Sequence, residues 1–124
     1  MTTKKRLLLV DDDDAVFAYL SAKLGSEFAI DYCASADDAL RRLGESRPDL
    51  ILCDIDLPGT DGGDLSAAVF SDSKARDIPF LFLTALLTPA ELAARDNQLA
   101  GRAAVSKEAP IEEIRKRIRA AVLY

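Results

Sequence analysis

The stretch LLLVDDDDAV, Leu7 to Val16, decides the fold. Four aliphatic residues run without a break, as in a strand covered on both faces, and lead into four consecutive aspartates. Like charges crowded at the end of a buried strand repel one another, and burial makes the repulsion worse. A bound cation would relieve it. Whether the chain is built for one depends on where its other strand ends fall.

Working outward, apolar runs alternate with helical patterns five times. RLLLV (Arg6 to Val10) is the first strand, followed by a helix from about Asp14 to Leu24 with an Asp N-cap and Gly25 at its close. FAIDYCA (Phe28 to Ala34) alternates like a strand with one partly exposed face. SADDALRRLG then reads as a helix, Ser35 and Asp38 in capping-box-like positions and Gly44 at its end. DLILCD (Asp49 to Asp54) and PFLFLT (Pro79 to Thr84) are the third and fourth strands, with a helix near Asp64 to Ser71 between them. TPAELAARDNQLAG reads as a helix capped by Thr88, with Pro89 at its first position, Glu91 reaching back and Gly101 stopping it. A short strand near Ala103 to Ser106 follows. The last helix runs from about Pro110 to Leu123, with Ile111, Ile114, Ile118 and Val122 on one stripe.

Five β-α units with buried strands imply an α/β fold, a doubly wound parallel sheet with helices on both faces. Right-handed crossovers and this length favour the flavodoxin-like strand order 2-1-3-4-5. In that order the ligand site lies at the carboxyl ends of strands one and three, where the winding reverses. Those ends carry Asp11, Asp12 and Asp54.

The chain of 124 residues suits one domain spanning 1–124, about half hydrophobic and 30% charged. The net charge of −5 argues against nucleic acid as the main partner. The basic cluster RKRIR (Arg115 to Arg119) is expected to form a solvated helix face. No apolar run approaches the ~20 residues of a membrane span, and no signal peptide is evident, so a cytoplasmic location is expected. Cys33 and Cys53 lack metal-site spacing and read as free buried thiols.

Neighbouring strands lie about 4.8 Å apart, so carboxylates ending strands one and three can converge on one ion. Magnesium takes oxygen ligands, and a chain without histidine offers little to softer metals. Thr84 ends the fourth strand with a hydroxyl, and Lys107 follows the fifth with a cation on a flexible stem. Such a site suits a phosphoryl group, with Asp54 free to act as nucleophile. Asp13 and Asp14 are read as helix-capping acids. The glycines of PGTDGG (Pro58 to Gly63) mark a turn, because the lysine and Ser/Thr of a nucleotide loop are absent.

Taken together, LLLVDDDDAV, DLILCDIDLPGTDG, FLFLTA and VSK make the chain resemble, over essentially its whole length, the receiver domain of bacterial two-component response regulators, the chemotaxis-regulator type. The resemblance implies a signalling module rather than an enzyme acting on other substrates. Its phosphoacceptor would be Asp54, phosphorylated by a sensor histidine kinase or histidine phosphotransfer protein, with phosphorylation switching the binding of a downstream protein. It implies Mg²⁺ bound directly by Asp12 and Asp54, through water by Asp11, and by the backbone carbonyl of Asp56. Thr84 and Lys107 would hold the phosphoryl oxygens.

Two departures stand out. The family's aromatic residue three positions before the lysine is Ala104 here, and the usual Lys-Pro is replaced by Lys107 followed by Glu108, Ala109 and Pro110. Ala104 has no rotamer to switch, and a trans bond is expected before Glu108. A haloacid-dehalogenase-type phosphatase would also use DIDLPGT, with Asp54 as nucleophile and Asp56 as acid. That family, however, needs metal-binding acids downstream of the lysine, where only Glu108, Glu112 and Glu113 are found. A receiver-like module that binds partners without phosphorylation is a further reading, disfavoured by the presence of every phosphoryl-handling residue.

Overall fold

In the computed structural model, which describes residues 3–122, the Leu7–Val10 run forms strand β1 (Lys5–Val10), an inner strand of the sheet. The remaining elements are α1 (Asp14–Leu24), β2 (Phe28–Cys33), α2 (Ala36–Glu45), β3 (Leu50–Cys53), α3 (Gly62–Ser71), β4 (Phe80–Thr84), α4 (Pro89–Ala93), β5 (Gln98–Leu99), β6 (Arg102–Ser106) and α5 (Ile111–Ala121). The strand order is β2-β1-β3-β4-β6-β5, and every pairing except β5 with β6 is parallel. The five parallel strands thus stand in the flavodoxin-like order expected.

The unbroken aliphatic run is explained by helices on both faces. Leu7 and Leu9 pack with Leu20, Leu24, Ile114 and Ile118 of α1 and α5. Leu8 and Val10 face the other way, into the layer that holds Leu65, Val69 and Leu92 of α3 and α4. Each fully buried aliphatic side chain contributes roughly 2 kcal/mol, so the run can hold the equally buried Asp11 that follows it against the cost of its desolvation.

The structure differs from the sequence reading at several points, the start of α3 at Gly62 among them. Helix α4 stops at Ala93 instead of continuing toward Gly101. The Thr88–Glu91 capping box forms as expected, but Asp96 and Asn97 take φ of 56°, and the Asn97 N–H closes the turn on the Leu92 carbonyl at 2.8 Å. Asp and Asn tolerate this left-handed conformation better than most residues. The chain then forms β5, which the sequence did not suggest, and turns back antiparallel onto β6 through Ala100 and Gly101, at φ of 51° and 76°. Positive φ at both central residues is the geometry of a two-residue hairpin, so Gly101 serves a strand turn and not a helix end. Gly44 lies inside α2, which ends one residue later. Leu123, assigned to the last helix, lies outside the described residues.

A further difference is the basic cluster. Arg115 and Arg119 do not simply project into solvent: both bind the Glu27 carboxylate, Arg119 at 2.6 and 2.7 Å and Arg115 at 3.3 Å. They fasten α5 to the turn between α1 and β2, and the Arg119 guanidinium, opposed by partial burial and helped by Arg115, holds Glu27 below the usual carboxylate range. Cys33 and Cys53 are free and buried, as expected. Among the described residues, no helix is long and apolar enough to cross a membrane.

Candidate functional site

The site is assembled by strand ends. β1 lies between β2 and β3, and the ladder continues one residue past each strand: Asp11 N–H donates to the Cys33 carbonyl at 3.1 Å, and Asp54 N–H to the Val10 carbonyl at 2.8 Å. Asp11 and Asp54 are thereby fixed beside each other by backbone hydrogen bonds. Thr84 ends β4 opposite Ser106 of β6, and Lys107 N–H donates to the Thr84 carbonyl at 2.7 Å. Four strands therefore deliver two acids, a hydroxyl and an ammonium to one edge of the sheet.

Burial divides the aspartates. Asp11 and Asp54 are 0% and 6% exposed, while Asp12, Asp13 and Asp14 are exposed. Asp13 is the N-cap of α1 and accepts from Ala15 N–H at 3.0 Å; Asp14 lies in the first turn, so both take the capping positions expected. Asp11, Asp12 and Asp54 bring carboxylate oxygens within 4.8 Å of one another. Asp56 is exposed and its backbone N–H donates to Asp54 Oδ1 at 3.2 Å.

Lys107 is more closely engaged than the sequence suggested. Its Nζ stands 2.7 Å from Asp11 Oδ2 and 3.3 Å from Asp54 Oδ2, so it bridges the two buried acids. Burial alone would lower the pKa of this lysine, but the two carboxylates outweigh it and hold the ammonium above its ordinary range. Burial, with the Asp11 charge added, raises Asp54; the Asp56 N–H and Lys107 oppose the rise without cancelling it. Asp11 Oδ1 accepts from Asp13 N–H at 2.9 Å, and buried Oδ2 faces the Lys107 ammonium at 2.7 Å.

That combination tests the fit for a hard cation. The donors are all oxygen, three carboxylates converge, and one buried oxygen has an unfilled lone pair. Mg²⁺ fits such a set. Asp13 and Asp14, committed to the helix start, stand outside it.

Thr84 is fully buried, and its Oγ1 accepts from Leu86 N–H at 3.0 Å, which ties the hydroxyl to the β4–α4 loop. No sequence signal indicated this partner. Ala104 is fully buried and in register with Phe82, in the cluster that also takes in Leu87, Leu92 and Leu99. The methyl group leaves nothing at that position to rotate. The backbone from Lys107 into Glu108 is trans, as expected without Lys-Pro. A phosphoryl mimic such as beryllofluoride is accordingly expected to shift amide resonances at Thr84 and residues 86–88 strongly, and those of β6 weakly. Large shifts through residues 103–106 and along α5 would show a switching route that does not use the aromatic rotamer.

With this geometry in hand, a family model described as the response regulator receiver domain matches residues 7–119. Transcriptional regulatory protein AfsQ1 of Streptomyces coelicolor is 38% identical over 80 residues, covering 64% of this chain and 34% of that protein. The DNA-binding response regulator MtrA of Mycolicibacterium smegmatis is 36% identical over 85 residues, 68% of this chain and 36% of MtrA. The matched chain therefore spans about a third of the length of each relative. Among solved structures, the receiver domain of sensor histidine kinase PA1611 from Pseudomonas aeruginosa, with a magnesium ion coordinated in its active site cleft, superposes with a TM-score of 0.81 at 24% identity. That match covers 97% of this chain and 98% of that one. The expectation against nucleic acid draws no support from MtrA, whose name describes a DNA-binding regulator.

Proposed function

Because the chain belongs to the response regulator receiver domain family, we propose that it accepts a phosphoryl group on Asp54 from a histidine kinase or histidine phosphotransfer protein and thereby alters its binding to a downstream protein. The observation that carries this reading is the convergence of Asp11, Asp12 and Asp54 with Lys107 and Thr84 at one sheet edge. An Asp54 carboxylate oxygen forms the new bond to phosphorus, and the bond to the donor's imidazole nitrogen breaks, its electron pair leaving with the nitrogen. Lys107, already at Asp54 Oδ2, and the Thr84 hydroxyl, which can donate its proton while Oγ1 accepts from Leu86 N–H, would hold the transferred oxygens. In-line placement and charge neutralisation are the main demands of such a transfer.

Asp11, Asp12 and Asp54 would hold Mg²⁺, with the Asp56 carbonyl as a further ligand and Asp11 acting through water. When bound, the ion neutralises charge between the carboxylates and the incoming phosphoryl oxygens. The magnesium described for the PA1611 receiver domain supports this assignment. The same reading implies a cytoplasmic location.

The test is chemical. Acetyl phosphate with Mg²⁺ is expected to add one acid-labile phosphoryl group, read as an added mass on the intact protein, and to add none to Asp54→Asn. Labelling that survives the substitution would remove Asp54 as phosphoacceptor.

A further inference from the structure

The two adjacent glycines Gly62 and Gly63 read in the sequence as turn residues, and in the structure they open α3. Their surroundings are not alike. A Cβ placed on Gly63 would meet only the side-chain oxygen of Asp61, at 3.3 Å, a contact that a small rotation relieves. A Cβ on Gly62 would lie 2.2 Å from the backbone oxygen of Asp54 and 2.7 Å from Ile55 Cα. Those are backbone atoms, with no flexible side chain to yield.

We propose that Gly62 is a positioning residue for phosphotransfer: lacking a side chain, it lets the first turn of α3 pack directly on the Asp54 peptide and so sets where the Asp54 carboxylate stands relative to Asp11, Asp12 and Lys107. The role rests on the assignment of Asp54 as phosphoacceptor. Gly62 N–H donates to the Ile55 carbonyl at 3.0 Å, and the Cys53 thiol donates to the Asp54 carbonyl at 3.1 Å, so the 54–55 backbone is gripped by both α3 and β3. Asp56, the residue after Ile55, supplies the N–H on Asp54 Oδ1. A shift of this short segment therefore moves the nucleophile and one of the donors that orients it. Helix α3 cannot easily retreat, because Leu65 and Val69 are buried and the Asp61 cap accepts from Asp64 N–H at 2.8 Å. A misplacement near 1 Å can cost on the order of a hundredfold in rate when catalysis depends on alignment.

The experiment measures phosphorylation by acetyl phosphate and Mg²⁺ over a range of donor concentrations, with far-UV circular dichroism to establish that each variant is folded. Gly62→Ala is expected to lose roughly ten- to a hundredfold in the saturating rate, with little change in the donor concentration giving half that rate. Gly63→Ala should stay within about twofold of the wild type, as should Ile118→Val, which lowers stability from the far face of the sheet; this separates positioning from general destabilisation. Should Gly62→Ala fail to fold, Asp61→Ala loosens the same turn more gently and is expected to slow the saturating rate severalfold. Asp61→Asn, which keeps the cap, should restore it. Folded Gly62→Ala reacting at the wild-type rate would overturn the proposal, as would a wild-type rate in Asp61→Ala where the glycine variant cannot be made. Either result, if labelling still requires Asp54, would leave the phosphoacceptor assignment intact; labelling of Asp54→Asn would strike at that assignment instead.

Discussion

Replacing Lys107 with methionine is expected to destabilise the protein by roughly 3 kcal/mol in the absence of divalent metal, because it strands a buried charge. Asp11 is fully buried, and its Oδ2 has only the Lys107 ammonium to offset it. Methionine keeps most of the stem's volume, so the loss reports the charge. The loss lies toward the lower end for breaking a buried pair, because Asp54 keeps its contact with the Asp56 N–H and the lysine side chain is 18% exposed. Against a typical total of about 5–15 kcal/mol, that is a large fraction. Asp11→Asn in the same background should recover much of the loss, since it removes the stranded charge; the coupling is read from a double-mutant cycle in urea. Lys107→Met matching the wild type in metal-free buffer would mean that the ammonium does not compensate the acids.

The second large effect concerns the cation. Mg²⁺ at a hundred times its dissociation constant should stabilise the wild type by about 2.7 kcal/mol, and Asp12→Ala should abolish that response. Asp12 is exposed, so its removal is expected to change metal-free stability by no more than about 0.5 kcal/mol. Four adjacent aspartates suggest that each adds to the strain of the metal-free fold. Of the four the structure buries only Asp11, beside the buried Asp54, and Lys107 already stands between those two. The chain has no tryptophan, so thermal melts followed by circular dichroism are the suitable measurement. An Asp12→Ala variant stabilised by Mg²⁺ as strongly as the wild type would exclude Asp12 as a ligand.

Much of the candidate site was legible because it follows from strand ends. An aliphatic run terminating in an acid marks both a buried strand and its exit point, and this holds for Leu7–Asp11 and for Leu50–Asp54 alike. The strand order then brings the two acids together, because it makes β1 and β3 neighbours at the point where winding reverses. Thr84 and Lys107 followed from the same logic, as residues at or just past the ends of β4 and β6.

The segment from Ala94 to Gly101 was not legible. ELAARDNQLAG has the composition of a helix ending in a glycine cap, and local propensity could not reveal that Asp96, Asn97 and Ala100 would take positive φ. Tertiary contacts favour the hairpin: Leu99 packs onto the core cluster that includes Ala104, and the Arg102 side chain reaches Ser66 Oγ at 2.8 Å while lying over the rings of Phe70 and Phe80. These contacts join residues far apart in the chain, beyond the reach of any local window.

By itself, then, the amino-acid sequence determined the α/β class, the order of the parallel strands and the identity of the residues at the strand ends, because hydrophobic periodicity and strand termination are local properties of the chain. Only the tertiary structure decided which acids are buried, that Lys107 bridges two of them, that Thr84 is held by Leu86, and that Gly62 must lack a side chain. Each of these depends on distances of a few ångströms between backbone segments that the sequence leaves unspecified.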